Sequence, residues 1–468
     1  KKIKNLQYFS FSAPTSTGKS FVFRNLISSC SNDVVVVVPS RALINEYFDR
    51  LNHIVNIKEV NVLTFVDQIN TKHAHRNIFI LTPERARELF KNRDWLKIDL
   101  ILFDEAQLSD EHSVRGLYFD SIVRRALKYF PDAKFVFAHP FIENPEAQLQ
   151  KNGINLIDTT SAYSNYELKN VGQIFYTHDT TAQKFYHFGS DPKVLGMNKL
   201  EASFDPIETA LRKGGSVLIY VPKSHIYSKE IYSQFQKYIS MCPPINNPIA
   251  LKMINELKDY IGASTTDKFY YNSDMLEKLS CGIVIHHGSM PLTARLLLEH
   301  FTQQGFCKIC FATSTLEQGI NMPFDVVYLD RFEESKTLSV KNLIGRAGRS
   351  TSKPEFDYGS VILRPNAMSR FRKVYRKKNV LSSKSRLDIT DDKMDEKYEE
   401  YKEAINTGDF SDEYNLTNKD LEKLKSDSVT TIVPTLLDMM FNGSDFVLPN
   451  TVAKEVYEDF QCLYKQYL

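Results

Sequence analysis

The chain has 468 residues, 42% apolar and 25% charged, the make-up of a globular protein of about three domains. Lys and Arg number 59 against 57 Asp and Glu, a net charge of +2. This excludes a globally basic coat and confines any polyanion-binding surface to a local patch. Six scattered cysteines exclude a disulfide framework and predict a reducing, cytoplasmic compartment. The longest aliphatic run, Val34–Val38, is far short of the roughly 18 residues of a membrane span, so no membrane partner is expected. The opening Lys1–Pro14 has no long apolar core and is not a secretory signal. It lacks an initiator Met, which predicts a true N-terminus further upstream.

Short continuous apolar runs come first: Tyr8–Ala13, Val34–Val38, Ile78–Leu81, Ile98–Phe103 and Phe135–Ala138. A second series follows at Val217–Val221, Gly282–Ile285, Ile309–Ala312, Val326–Leu329 and Val361–Leu363. Unbroken rather than alternating apolar strands are what a parallel sheet covered on both faces requires. Helical patterns such as Phe21–Ser29, Ala42–Leu51, Pro83–Phe90 and Leu292–Phe301 lie between them. Strand–helix alternation predicts right-handed crossovers and an open α/β sheet, twice over. The expected organisation is a first parallel-sheet domain over 1–165, a linker over 166–206, a second sheet domain over 207–366, and a mostly helical C-terminal region over 367–468.

In that last region Arg364–Arg386 holds nine Lys or Arg and no acid, and Asp388–Glu403 then holds eight acids against three bases. A solvated helical hairpin of opposed charge and a phosphate-contacting arm both fit this pattern. Leu421–Leu468 has helical spacing, with breaks expected at Pro434 and Pro449.

Three segments carry chemistry. Thr15-Ser16-Thr17-Gly18-Lys19-Ser20 follows a strand and opens a helix, so backbone N–H groups and the helix N-terminus face phosphate oxygens. Lys19 is placed for the β- and γ-phosphates and Ser20 for Mg²⁺. The generic Gly-x-x-x-x-Gly-Lys-Ser/Thr pattern is incomplete, because its first glycine is missing. Ile98–Phe103 runs into Asp104-Glu105-Ala106-Gln107, which sets two carboxylates on the sheet rim. Asp104 suits a metal ion and Glu105 the orientation and deprotonation of a water. Asn342–Arg349 places Arg346 and Arg349 on one face of a helical turn, with small residues that permit close approach of another domain. Guanidinium groups delivered in this way stabilise charge developing on a transferred phosphoryl group.

The order of these segments resembles superfamily-two helicases with paired RecA-like domains, closest to the superkiller-like DExH branch. The resemblance covers about Ser12–Leu363. Ala13–Ser20 is similar to motif I in that branch's A-P-T-S-x-G-K-[ST] form. Val38–Glu46 resembles motif Ia, Thr82–Arg85 motif Ib, Asp104–Gln107 motif II and Val217–Ser224 motif IV. His286-His287-Gly288, with Arg295 and Glu299, resembles a paired-His segment; Ala312–Pro323 resembles motif V and Asn342–Arg349 motif VI.

The resemblance implies two tandem RecA-like domains that bind Mg-ATP through Thr15–Ser20 and Asp104, with Gly319 and Asn321 lining the nucleotide. Lys19, Asp104, Glu105 and Gln107 are then the hydrolytic set, and Arg346 and Arg349 reach across the cleft as arginine fingers. Arg41, Thr82, Arg85, Lys223 and Thr313 are expected to touch a single strand of DNA or RNA. The implied activity is that of an ATP-dependent helicase or translocase. The alternative is an ATP-gated clamp or sensor that binds nucleic acid without robust unwinding, in a complex with a nuclease subunit such as those of prokaryotic antiphage defence.

Three positions depart from the family pattern. Gln107 replaces the His of D-E-x-H. The usual S-A-T of motif III reads Ala138-His139-Pro140, which removes both hydroxyls and one N–H. Asn342 stands where motif VI has Gln. Cys307-Lys308-Ile309-Cys310 is expected to lie within one strand with its thiols on opposite faces, and so to serve neither metal nor redox chemistry.

Overall fold

A computed structural model of the chain describes residues 6–14, 19–52, 59–66, 74–156, 160–166, 172–193, 200–263, 273–313, 322, 324–348, 358–388, 427–442, 445–446, 458 and 461. It divides into two compact units, one of residues 1–111 with 118–385, the other of 112–117 with 386–468.

The first unit contains two α/β layers. Strands β1 (Tyr8–Ser12), β2 (Asp33–Val37), β3 (Val60–Leu63), β4 (Arg76–Leu81), β5 (Ile98–Phe103), β6 (Lys134–His139) and β7 (Ser161–Asn165) form one sheet in the order β3-β4-β2-β5-β6-β1-β7. Every pairing in it is parallel. Successive residues of a strand face opposite sides. Val34, Val36, Ile78, Ile80, Leu100 and Leu102 therefore pack under the helices Lys19–Ser28 and Arg41–Asn52. Val35, Phe79, Ile101, Phe103 and Phe137 pack on the other side with Phe119, Ile122 and Val123. Both faces are covered, which is why each strand reads as an unbroken apolar run.

The second sheet comprises β8 (Gly172–Asp179), β9 (Lys184–Phe188), β10 (Leu200–Glu201), β11 (Val217–Tyr220), β12 (Ile283–His286), β13 (Ile309–Ala312), β14 (Val326–Leu329) and β15 (Tyr358–Leu363). Its order is β10-β9-β8-β15-β14-β11-β13-β12. The pairings from β8 through to β12 are parallel, while β9 and β10 run antiparallel at the edge. The architecture is two tandem RecA-like parallel-sheet domains followed by a C-terminal region whose described residues are mainly the helix Asp427–Met440.

Four expectations need correction. Residues 166–206 are not a plain linker, since β8, β9 and β10 lie in them and extend the second sheet. β8 lies inside the sheet and interleaves polar Gln173, Thr177 and His178 with its apolar residues, and β9 does the same with His187, so neither forms a continuous apolar run. The second layer also does not stop at residue 366: the helix Met368–Arg376 buries Phe371 and Val374 in its core. Cys307 precedes β13 rather than lying within it, so its thiol and that of Cys310 share one apolar cluster. The helix Asp427–Met440 of the second unit continues through Pro434 instead of breaking there. Most of 389–426 and 447–468, including the acidic run and Pro449, lies outside the described residues.

After the helix Met368–Arg376 the chain returns to the first layer as a strap. Asn379 bridges Ile142 in parallel fashion, and Glu143 N donates to Asn379 O at 2.9 Å. The Asn144 side chain donates to Leu381 O (2.9 Å) and accepts from Leu381 N (2.8 Å). Ser382 N donates to Asp110 Oδ2 at 2.6 Å. One backbone segment thus ties the second layer to the loop that follows β6.

Candidate functional site

Strand ends decide what the site contains. In a parallel sheet every carboxyl end opens on one edge, where α/β folds place their ligands. β1 delivers the chain to Lys19, the first residue of the helix Lys19–Ser28. β5 delivers Asp104 and Glu105, and β6 delivers His139. Lys19 Nζ lies 3.4 Å from Glu105 Oε1, both side chains being nearly enclosed.

Asp104 is buried. Its Oδ2 accepts from the Tyr47 hydroxyl at 2.8 Å and its Oδ1 from the Glu105 N–H at 3.0 Å. Burial raises its pKa; Lys19 opposes that rise, the neighbouring Glu105 charge adds to it, and the Tyr47 bond lowers it. Tyr47 is itself driven well above the ordinary tyrosine range by burial and by the Asp104 carboxylate. A carboxylate held in such a place, beside a second one and a single ammonium, has the chemistry of a cation ligand.

Glu105 has a left-handed backbone (φ 54°), uncommon for a residue with a side chain. The turn redirects its carboxylate from the strand into the 3₁₀ segment Ala106–Asp110. Gln107 Nε2 then donates to Glu105 Oε2 at 2.8 Å. Glu105 is therefore gripped at both oxygens, by Lys19 on one side and Gln107 on the other.

His139 is fully buried, its Nε2 3.1 Å from Ser10 Oγ. Burial, reinforced by Lys151 and Lys19, pushes its pKa well below the usual imidazole value, so it is neutral at pH 7. The loop after it lacks its own hydroxyls but is held by one from β1: Ile142 N donates to Ser12 Oγ at 2.9 Å.

From the second layer, the helix Thr337–Ile344 leads into Arg346, which is buried. Burial lowers its pKa to about 10, with the carboxylates of Glu46, Glu299 and Glu105 acting in the opposite direction. Two of those carboxylates, Glu46 and Glu105, belong to the first layer, so the Arg346 charge lies within electrostatic reach of that layer. A cavity of about 350 Å³ is lined by Pro39, Glu105 and Gln107 from one side and by Ser339 and Asn342 from the other.

The expected strand-contacting residues divide between the two sheet edges. Arg41 begins its helix and is exposed, and Thr82 is the buried cap of the turn Pro83–Ala86. Arg85 Nη1 donates to Thr64 O at 2.8 Å, which directs this side chain toward holding the loop after β3. Lys223 follows β11 and Thr313 follows β13 on the second sheet. His286 pairs with Glu299 at 3.0 Å in the core below them. Thr15, Ser16, Thr17, Gly18, Gly319, Asn321 and Arg349 lie outside the described residues, and so does the Ser20 side chain.

Tyr47 escaped the sequence reading. It sits on the apolar face Leu43, Ile44, Tyr47, Leu51, where an aromatic with a buried hydroxyl partner looks like any other core aromatic.

Residues 3–138 match the DEAD/DEAH box helicase family. The chain is similar to the ATP-dependent DNA helicase Hel308 of Pyrococcus horikoshii, 24% identical over 74% of this chain and 46% of that protein. It is also similar to the Hachiman protein HamB of Bacillus cereus, 25% identical over 74% of this chain and 34% of that protein. A third relative is the DExH-box ATP-dependent RNA helicase DExH13 of Arabidopsis thaliana, 23% identical over 69% of this chain and 15% of that protein. The chain spans half or less of the length of each. The family match runs from β1 into β6 of the first sheet. No helix among the described residues is long and apolar enough to cross a membrane.

Proposed function

We propose that the chain is the motor of an ATP-dependent helicase or translocase of the superkiller-like DExH branch, acting on a single strand of DNA or RNA. The observation that carries this reading is the Lys19–Glu105–Asp104 cluster on the carboxyl edge of one parallel sheet, with the buried Arg346 charge of the next sheet within electrostatic reach of Glu105. In this reading Thr15–Ser20 hold the triphosphate and Lys19 binds its outer phosphates. The buried Asp104 carboxylate and Ser20 would hold Mg²⁺, which would supply positive charge to offset that of the phosphates.

Glu105 orients and deprotonates the attacking water, and Gln107 and Lys19 keep its carboxylate aimed. Arg346 and Arg349 stabilise charge on the transferred group, while Gly319 and Asn321 line the nucleotide. Because the two layers grip the same phosphates, hydrolysis loosens the bridge between them. Arg41, Thr82, Arg85, Lys223 and Thr313 hold the strand, mostly through phosphates and so without sequence preference.

A second reading, the ATP-gated clamp, is favoured by Ala138-His139-Pro140. The buried, neutral His139 replaces a hydroxyl pair expected to link hydrolysis to strand separation. Similarity to HamB supports placing such a clamp beside a protein partner, for example a nuclease subunit of an antiphage complex. ATP turnover measured with single-stranded DNA and RNA, beside displacement of a tailed duplex, decides between the two. Stimulated turnover abolished by both Lys19→Ala and Glu105→Gln supports the site, and wild-type turnover in both variants rules it out. Duplex displacement excludes the clamp, and turnover without displacement favours it.

A further inference from the structure

The carboxyl edge of the second sheet carries a side-chain cluster that the hydrolysis site does not use. β11 and β12 both pair in parallel with β13, so the loops that follow all three leave the sheet together. Val221 N donates to Ala312 O (2.9 Å) and Thr313 N to His286 O (3.2 Å), which fixes those loops side by side. The short helix Lys223–Tyr227 buries none of its residues. Lys223 Nζ donates to Ser289 Oγ at 2.6 Å and lies 5.6 Å from the centre of the Tyr227 ring. The rings of Tyr227 and His287 are 5.6 Å apart at 59°.

Tyr227 is 59% exposed, although a tyrosine ring ordinarily buries most of its apolar area. The neighbouring ammonium and imidazole brace the ring, so little rotamer freedom remains to be lost when something stacks on it. Burial, together with Lys223 and His286, lowers the His287 pKa, and the imidazole beside the platform is uncharged at neutral pH. One cation, one outward-facing ring and the Thr313 backbone thus share a single edge. An aromatic face next to a phosphate-seeking ammonium is the arrangement that holds single-stranded nucleic acid through its bases.

We infer that Tyr227 is a stacking platform for one base of a bound single strand, with Lys223 on an adjacent phosphate. This rests on the nucleic-acid reading above and adds to it a contact with a base rather than with the backbone. Stacking of this kind is tolerant of base identity.

The test uses the full chain and two fluorescent single strands of equal length and charge, oligothymidylate and an abasic analogue. Tyr227→Ala should weaken binding of oligothymidylate about 10-fold, leave the abasic strand unaffected and leave the thermal midpoint unchanged. Tyr227→Trp should restore the difference between the two strands. Quenching of a 2-aminopurine scanned along the strand should peak at one position in the wild type and vanish in Tyr227→Ala. Equal losses on both strands, or no loss on either, overturn the inference and leave the motor reading intact. Failure of the wild-type chain to bind either strand overturns both.

Discussion

At the level of single side chains, Asp104 and Glu105 bring two negative charges into a site that the Lys19 ammonium neutralises only once. The Asp104 pKa is raised, so its protonated form is favoured in the folded state. The stability this confers is full below the unfolded carboxylate value of about 4 and is lost as pH rises through the folded value. Asp104→Asn is therefore expected to raise the thermal midpoint at pH 7 in the absence of nucleotide while abolishing ATP turnover, read by calorimetry and phosphate release. A lowered midpoint contradicts this account. Tyr47→Phe removes a hydrogen bond that favours ionised Asp104. The acid limb of the turnover profile should consequently move to higher pH, and a shift to lower pH would contradict the assigned role of the hydroxyl.

At the level of elements, the strap and the loop after β6 are held by backbone groups. The Asn144 carboxamide satisfies both the N–H and the C=O of Leu381. Asn144→Ala strands both groups and should cost about 1–3 kcal/mol in chemical denaturation. Asn144→Asp keeps the acceptor and loses the donor, and should fall between Ala and wild type. Phe103 stacks on Phe137 across neighbouring strands with ring centres 5.0 Å apart, and both are fully buried. Phe137→Ala should cost about 3–5 kcal/mol, because a rigid sheet covered on both faces cannot collapse into the gap.

At the scale of the whole molecule, the two layers line one cavity with Glu105 and Gln107 on one side and Ser339 and Asn342 on the other, and catalysis in the proposed motor depends on that meeting. Arg346→Ala should lower the rate of ATP hydrolysis by about 10³-fold with a much smaller effect on ATP affinity, measured in single turnover. The opposite pattern would make Arg346 a binding residue only. The net charge of +2 leaves polyanion binding to local groups. Arg41→Ala and Lys223→Ala should each reduce the slope of log affinity against log salt by about 0.7 for a single strand. No change in either slope would remove that residue from the strand path.

β3, β7, β8, β9 and β10 lay outside the apolar runs, but the sequence by itself determined the other ten of the fifteen strands of the two sheets, their parallel character and the types of residue at their ends. All of these follow from local apolar runs and from side chains adjacent in the chain. Asp104 and Glu105 were legible because they directly follow β5, and Lys19 because it opens a helix. Residues 166–206 were misread because β8 and β9 interleave polar with apolar residues and so lack the unbroken apolar run of the other buried strands. Only the tertiary structure decided that Tyr47 bonds Asp104, that Asn144 grips Leu381 and that Tyr227 stands beside His287. Each of these pairs lies between 57 and 237 positions apart in the chain. Contacts at such separations are set by how sheets and crossovers pack, and no residue pattern within either segment encodes them.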